Sequence, residues 1–457
     1  MQERPNQAHT PTAIQGRPAG APPQQPRPVR PAPPAQPPKR REVQPAPTSV
    51  RALRQQQKQA ALEEKRREED AKYVRVLTGI DRPFLVLVLA LLAFGVIMGF
   101  SASYAYASVK YGDSLYFFKR YLLFAVIGLI GMFLCLYIPI RGIKMLTFPG
   151  YGFAIILLLL VLIPGVGLSE GDAQRWLYIP GVGTFQPSEL AKLAMIMMMA
   201  WYLSKFSDKI TDTSLGGHPV LWGFGGSCCV FGLIAGLVAL EHHISGTIIV
   251  AGIGVVMMFV GRVNMKYLFI AGAILAVAAV GLIAFSNYGG TRIEVWKMVL
   301  FDPHNIPKDI ARDEAYQNLQ GLYAIGSGGF FGVGLGNSFQ KSGYVSQPQN
   351  DFIFSIICEE LGFVGAAAVM LLFMGLAWRG YLIARNAPDL YSSLLVFGIV
   401  TQVTMQAILN ICVVTALIPN TGISLPFFSS GGTSLVILMV EMGIVLSVSR
   451  YSYLKRS

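Results

Sequence analysis

The run DFIFSIICEELGFVGAAAVMLLFMGLAW, residues 351–378, is long and apolar, yet it carries Asp351, Glu359 and Glu360 within its first turns. A helix needs ~20 apolar residues to cross ~30 Å of hydrocarbon, and this stretch supplies them. Each charged side chain placed there costs a few kcal/mol. The run therefore reads as a membrane span whose three acids need a purpose.

Nine further apolar segments surround it, giving ten in all: approximately 84–106, 120–138, 145–165, 188–204, 220–240, 244–261, 265–286, 351–378, 391–417 and 434–450. The expected fold is an all-α polytopic membrane protein of about ten transmembrane helices. Composition agrees. Of the 457 residues 53% are hydrophobic and only 14% are charged, where a soluble protein carries about 25% charge. The net charge of +12 calls for no nucleic-acid partner. Much of the excess sits in the N-terminal tail and in short loops, where Lys and Arg set membrane orientation. The five cysteines (Cys135, Cys228, Cys229, Cys358 and Cys412) fall inside apolar segments at no metal spacing, and read as small core residues. The first apolar run begins only at Phe84, so no cleavable signal peptide is expected.

Residues 1–50 are rich in Pro, Gln and Arg and are expected to be a disordered tail, because they cannot bury enough apolar surface to offset ordering entropy. Residues 51–80 are dominated by strong helix formers without an apolar stripe and read as a charged juxtamembrane helix. The membrane domain is expected over 81–452, with 453–457 as a short C-terminus. Arg141, Lys144, Lys205, Lys209, Arg262, Lys266, Arg379, Arg385 and Arg450 fall in alternate loops. The intervening turns at 241–243 and 418–433 hold no Lys or Arg. Both termini are accordingly expected in the cytoplasm. One long extracellular loop, about 287–350, is rich in Gly and aromatics and reads as an ordered cap on the outer surface.

Asp351 then lies at the outer interface. Two readings stand: Asn350 or Asp351 caps the eighth span, or Asp351 is a general base facing an external cavity. Glu359 and Glu360, deeper in the span, read as packing partners of neighbouring helices or as part of that cavity. A second constellation is GDAQRWLYIPGVGTFQPSELAK, residues 171–192. Pro187 starts a helix with Glu189 and Lys192 on one face. They form a structural salt bridge or, with Arg175 beside Trp176, a polar groove for an anionic headgroup. A third cluster, EHHISGT at 241–247, holds His242 and His243 without further ligands, so histidine metal binding is not expected.

Four motifs in order, FQPSELAK (185–192), GLGNSFQKSGY (334–344), NDFIFSIICEELGFVG (350–365) and PNTGISLPFFSSGGTS (419–434), resemble the SEDS family (shape, elongation, division and sporulation), which includes FtsW, RodA and SpoVE. The resemblance covers about 80–452, and GLGNSFQK is similar to the division-type FtsW pattern. It implies a lipid II-dependent peptidoglycan glycosyltransferase at the outer face of the bacterial cytoplasmic membrane, acting at the division septum and inverting at the anomeric carbon. A lipid II flippase, a RodA-like elongation role and a SpoVE-like sporulation role are the alternatives. The implied partners are a class B penicillin-binding protein, lipid II, other divisome proteins and membrane lipids, with no nucleic acid. The implied cofactor is at most a divalent cation (Mg or Mn), with no organic group.

The family's catalytic aspartate falls on Asp351, and its glutamate and lysine in Q-P-S-E-x-x-K fall on Glu189 and Lys192 beside Gln186. Arg175, Trp176, Arg292 and Lys341 complete the expected substrate-binding set. The chain departs from the family pattern at Ser346 and Gln347, where Pro-Glu is common, at Asn350 in place of Thr, and at Ser430 in place of Tyr.

Overall fold

The computed structural model describes residues 73–75, 79–170, 173–180, 183–211, 219–264, scattered positions between 266 and 281, 287–303, 314–451 and 453–455. The first span is α1 (Arg82–Tyr111), followed by α2 (Tyr116–Tyr137), the short α3 (Ile140–Met145) and α4 (Thr147–Val161). Then come α5 (Pro187–Lys205), α6 (Ser207–Thr211), a π-helical turn (Pro219–Gly225) leading into α7 (Gly226–Leu240), and α8 (Ile244–Val260). Nine of the ten expected segments are helical among the described residues. The other, 265–286, lies largely outside them, and its described positions are helical.

The long outer loop is built on two helices, α9 (Asn287–Phe301) and α10 (Glu314–Gly328). Three helices close the bundle: α11 (Ile353–Arg385), α12 (Leu390–Val414) and α13 (Gly432–Ser449). Among the described residues six helices are long and apolar enough to cross a membrane, and α4 and α8 are shorter apolar helices. Large side chains on the perimeter, such as Leu134, Leu371 and Met374, are exposed, as lipid-facing residues are.

Most of the charged helix expected over 51–80, and all of the tail at 1–50, lie outside the described residues. At 73–75 the chain is strand instead: β1 (Tyr73–Arg75) pairs antiparallel with β5 (Tyr453–Lys455). Local helix preference gives way there to a partner segment that satisfies the backbone. The pairing brings the approach to α1 and the exit from α13 to one side of the bundle. Asp81 fastens the same end. Its carboxylate caps α1 by accepting from the Phe84 amide at 3.0 Å. It also pairs with Arg379 of α11 at 2.9 Å.

Glycine breaks α11 at Gly362, where φ is 64° and ψ −163°. The break frees backbone groups that a membrane cannot leave unpaired, since each would cost several kcal/mol. The glycine-rich segment after α10 takes them up. Val333 and Gly334 donate to the Glu359 and Glu360 carbonyls at 2.9 Å each, while Phe363 and Val364 donate to the Gly329 and Phe330 carbonyls at 3.0 and 3.2 Å. A Cβ on Gly332 would stand 2.2 Å from the Glu360 carbonyl oxygen, so only glycine allows this approach.

The two deep acids fasten the same junction. Glu359 accepts from the Phe339 and Gln340 amides at 3.0 and 3.3 Å, and from the Ser338 hydroxyl. Glu360 accepts from Ser101 of α1 and pairs with Lys341 at 2.6 Å, both charged side chains being buried. Of the two readings open for these acids, partnership with neighbouring elements is the one realised.

Candidate functional site

A cavity of about 360 Å³ opens between α5, α8, α10, α12, α13, the segment just before α11 and the outer loops. A three-stranded antiparallel sheet contributes one wall: β2 (Gly167–Glu170), β3 (Ala173–Ile179) and β4 (Gly183–Phe185). Arg175 and Trp176 of β3 line the cavity, as do Gln186, Glu189, Lys192 and Asp351. Six residues named from sequence are thus brought together from segments more than 150 positions apart.

Of the remaining two, only Lys341 has a described side chain. Lys341, expected to bind substrate, is absent from the cavity wall. Its ammonium is buried against Glu360 and lies 5.0 Å over the Tyr104 ring. The reason is the helix break: the segment that carries Lys341 is drawn down onto α11, and Glu360 needs a counter-ion there. Arg292 falls in α9, and its side chain lies outside the described residues.

Asp351 stands just before α11, whose N-cap is Phe352, a residue with no capping oxygen. Its backbone carbonyl accepts from Asn410 of α12 at 2.8 Å, and the same amide donates to the Ile423 carbonyl at 2.6 Å. Ser429 donates to the Asn350 carbonyl at 2.9 Å, and the Ser430 amide to Gln349 at 2.9 Å. These bonds lock the 419–431 segment against the start of α11. Gly422 of that segment has φ 66°, and a Cβ there would lie 3.3 Å from Asp351 Oδ2.

The opposite side is cationic. Pro187 and the N-cap Gln186 start α5, which presents Glu189 and Lys192 to the cavity. Lys192 Nζ lies 2.9 Å from Glu189 Oε1 and donates to Gln406 Oε1 of α12 at 3.1 Å. An ammonium has three donors, so this pair leaves one for a ligand. Ser188 and His243 form the adjoining wall, with Ser188 Oγ 3.5 Å from His243 Nδ1. Burial, with Arg175 and Lys192 nearby, depresses His243 to about 3, which makes it a poor base. Behind it, burial pushes Glu241 up to about 8, against the pull of Arg175. Asp351 is the second carboxylate on the cavity wall, beside Glu189.

Among the described residues no three His, Cys, Asp or Glu side chains gather as a metal site.

Sequence reasoning missed the α12 contribution and Glu441. Its signal was present: Gln402, Gln406 and Asn410 recur at four-residue spacing, one polar stripe on an otherwise apolar helix.

Comparison with known proteins follows the same residues. The family model described as "Cell cycle protein", for FtsW, RodA and SpoVE, matches residues 82–454. Stage V sporulation protein E of Bacillus subtilis (strain 168) is 41% identical over 377 residues, covering 82% of this chain and 98% of that protein. A probable peptidoglycan glycosyltransferase FtsW of Geobacter sp. (strain M18) is 35% identical over 376 residues, covering 82% and 98%. Among solved structures, a chain from a study of how a peptidoglycan synthase complex coordinates polymerization and crosslinking superposes with a TM-score of 0.65 at 26% identity, covering 81% of this chain and 98% of that one. The rod shape determining protein RodA of Thermus thermophilus superposes at 0.58 with 27% identity, covering 82% and 98%. The chain belongs to the FtsW, RodA and SpoVE family, the SEDS proteins.

Proposed function

We propose that this protein is a peptidoglycan glycosyltransferase that polymerises lipid II at the outer face of the cytoplasmic membrane. The observation that carries the reading is one outward cavity with a carboxylate, Asp351, and two cations, Arg175 and Lys192. Glycan polymerisation asks for that set. A sugar hydroxyl attacks an anomeric carbon and expels a lipid diphosphate. Asp351 takes the hydroxyl proton. Arg175 and Lys192 receive the charge that develops on the leaving diphosphate. Direct displacement inverts the anomeric carbon. A divalent cation, if the reaction uses one, would travel with the substrate's phosphates, since magnesium needs only one or two protein carboxylates.

A class B penicillin-binding protein is the proposed partner. The structural neighbour solved within a peptidoglycan synthase complex supports it. Septal division is the proposed stage, on the FtsW relatives, with the sporulation relative marking the other role. A flippase would need a polar route through the whole bilayer. Below Glu441, α13 buries Met442, Ile444, Val445 and Leu446, which is no such route.

The test is purified protein with its cognate penicillin-binding protein, given lipid II. Polymer is expected from wild type. Asp351→Asn should lose at least 100-fold in rate, the scale of general-base catalysis, with an unchanged melting profile. Near-normal polymer from Asp351→Asn would remove the aspartate from the chemistry.

A further inference from the structure

α5 and α12 both run from the outward cavity to the opposite face of the bundle. Lys192 and Lys205 stand near the two ends of α5, separated by about 20 Å of helix. The start of α12 reaches the same inner end, which the loop charges place at the cytoplasmic face. A second cavity opens there, of about 380 Å³, within the range of roughly 300–1,000 Å³ usual for ligand sites. Lys144 of α3, Trp201 and Lys205 of α5, and Asp389, Leu390 and Tyr391 at the start of α12 line it.

Aromatic rings hold the two ammonium groups. Lys144 Nζ lies 5.2 Å over the Tyr391 ring, and Lys205 Nζ lies 4.5 Å over the Trp201 ring. Both rings are braced in turn. The Tyr391 hydroxyl is hydrogen-bonded to Thr147 Oγ1 at 3.1 Å, and Phe148 packs edge-on against Trp201 with ring centroids 4.5 Å apart. A ring face attracts an ammonium without taking up its N–H donors as a carboxylate does. Among the described residues neither lysine has an ion-pair partner. Asp389 caps α12 by accepting from the Ser392 amide at 2.7 Å, where the helix dipole offsets its charge. Lys209 adds a third cation next door, sharing the Phe206 ring with Lys205. The bias toward Lys and Arg in cytoplasmic loops accounts for the number of lysines here. It does not account for their gathering around an aromatic-walled cavity. The surroundings are apolar as well: Leu146, Phe148 and Leu390 are exposed large side chains, as lipid-facing residues are.

We propose that this inner cavity binds the headgroup of an anionic phospholipid such as phosphatidylglycerol. The phosphodiester sits against Lys144 and Lys205, and the acyl chains run along Leu146, Phe148 and Leu390. Basic pockets between helices on the cytoplasmic side suit such headgroups. A soluble phosphate would satisfy the ammonium groups equally well but would leave the apolar rim without a role. The site is at the opposite end of α5 and α12 from Asp351, and its existence does not depend on the glycosyltransferase reading.

The test is native mass spectrometry of the purified full-length protein in detergent, titrated with phosphatidylglycerol and separately with phosphatidylcholine. Wild type should retain phosphatidylglycerol at least tenfold more tightly; equal retention of the two lipids overturns the proposal. The double variant Lys144→Gln/Lys205→Gln should bind phosphatidylglycerol about 30-fold more weakly, the worth of two cations near an anionic lipid. A control that removes two cytoplasmic cations off the cavity wall, Lys266→Gln/Arg385→Gln, should bind as wild type does. Equal losses in the two double variants would show a diffuse attraction to the leaflet and sink the site. Ser204→Asp keeps both lysines and adds a negative charge on the cavity wall. It should also weaken binding, which keeps the test decisive if the lysine variant fails to fold; unchanged binding would count against the site. Excess glycerol 3-phosphate should leave the bound lipid in place, and its displacement would assign the cavity to a soluble phosphate instead.

Discussion

Lys341→Met strips a buried carboxylate of its counter-ion, and the consequence should be instability and not loss of substrate. The side chains of Lys341 and Glu360 are 1% and 0% exposed. Removing one partner of such a pair costs about 3–5 kcal/mol, a large part of a total stability of about 5–15 kcal/mol. Ser101 still donates to both Glu360 oxygens at 2.8 and 2.6 Å, which places the loss toward about 3 kcal/mol. At about 2 °C per kcal/mol for a large domain, melting should fall by about 6 °C. Adding Glu360→Gln should restore part of it, because no unpaired charge then remains. The assay is thermal unfolding in detergent by size-exclusion fluorescence, with lipid II polymerisation normalised to folded protein. Wild-type melting combined with lost polymerisation per folded molecule would refute the structural account and return Lys341 to the substrate.

Three further outcomes are expected. Glu189→Gln and Lys192→Met should each destabilise, with the double variant losing at least about 1 kcal/mol less than their sum, since the pair is 2.9 Å apart and mostly buried; strict additivity in melting experiments would deny the coupling. Gly422→Ala should lose about 1–2 kcal/mol from the left-handed backbone and lose polymerisation beyond that, because the new methyl would crowd Asp351 Oδ2; kcat per folded molecule is the readout. Glu241 holds its proton up to about pH 8 in the folded protein, against 4.5 unperturbed. The stability it contributes is therefore fully present below about pH 4.5 and is lost as pH rises through 8, at up to about 1.4 kcal/mol per pH unit. Glu241→Gln should show a melting advantage over wild type that grows from pH 5 to pH 8, and a flat difference would contradict the burial of that carboxyl.

The spans were legible because length and apolarity are local. The end-of-chain strand pair was not, because Tyr73 meets Lys455 only after the bundle has closed. Six cavity residues were legible because polar groups at the edge of an apolar run advertise themselves. Lys341 looked the same from sequence, yet it lies off the cavity wall and pairs with Glu360. Its partner Glu360 is close in the chain, but the contact depends on a backbone reversal at Gly362 that glycine alone does not announce. Glu441 gave still less warning: one acid in an apolar helix has no visible partner until α12 supplies Gln402.

The acids and amides of these helices answer to irregular backbone as much as to chemistry. Asp351 can face a cavity only if the chain just before α11 leaves helical geometry, and that chain needs partners at membrane depth. Asn410 supplies one by holding the Asp351 carbonyl. Ser429 and Ser430 supply two more, at Asn350 and Gln349. Eleven positions beyond Asp351, Gly362 opens α11 again, and there the backbone of 329–334 and the carboxylates of Glu359 and Glu360 take over. The segment between the two irregularities is thus clamped at both ends by polar groups from α1, α12, the outer loop and the 419–431 turn. A carboxylate held this way keeps its position at the cavity wall. The same clamp explains why loosening any single member, even one far from the cavity such as Lys341, should lower stability before it alters the chemistry.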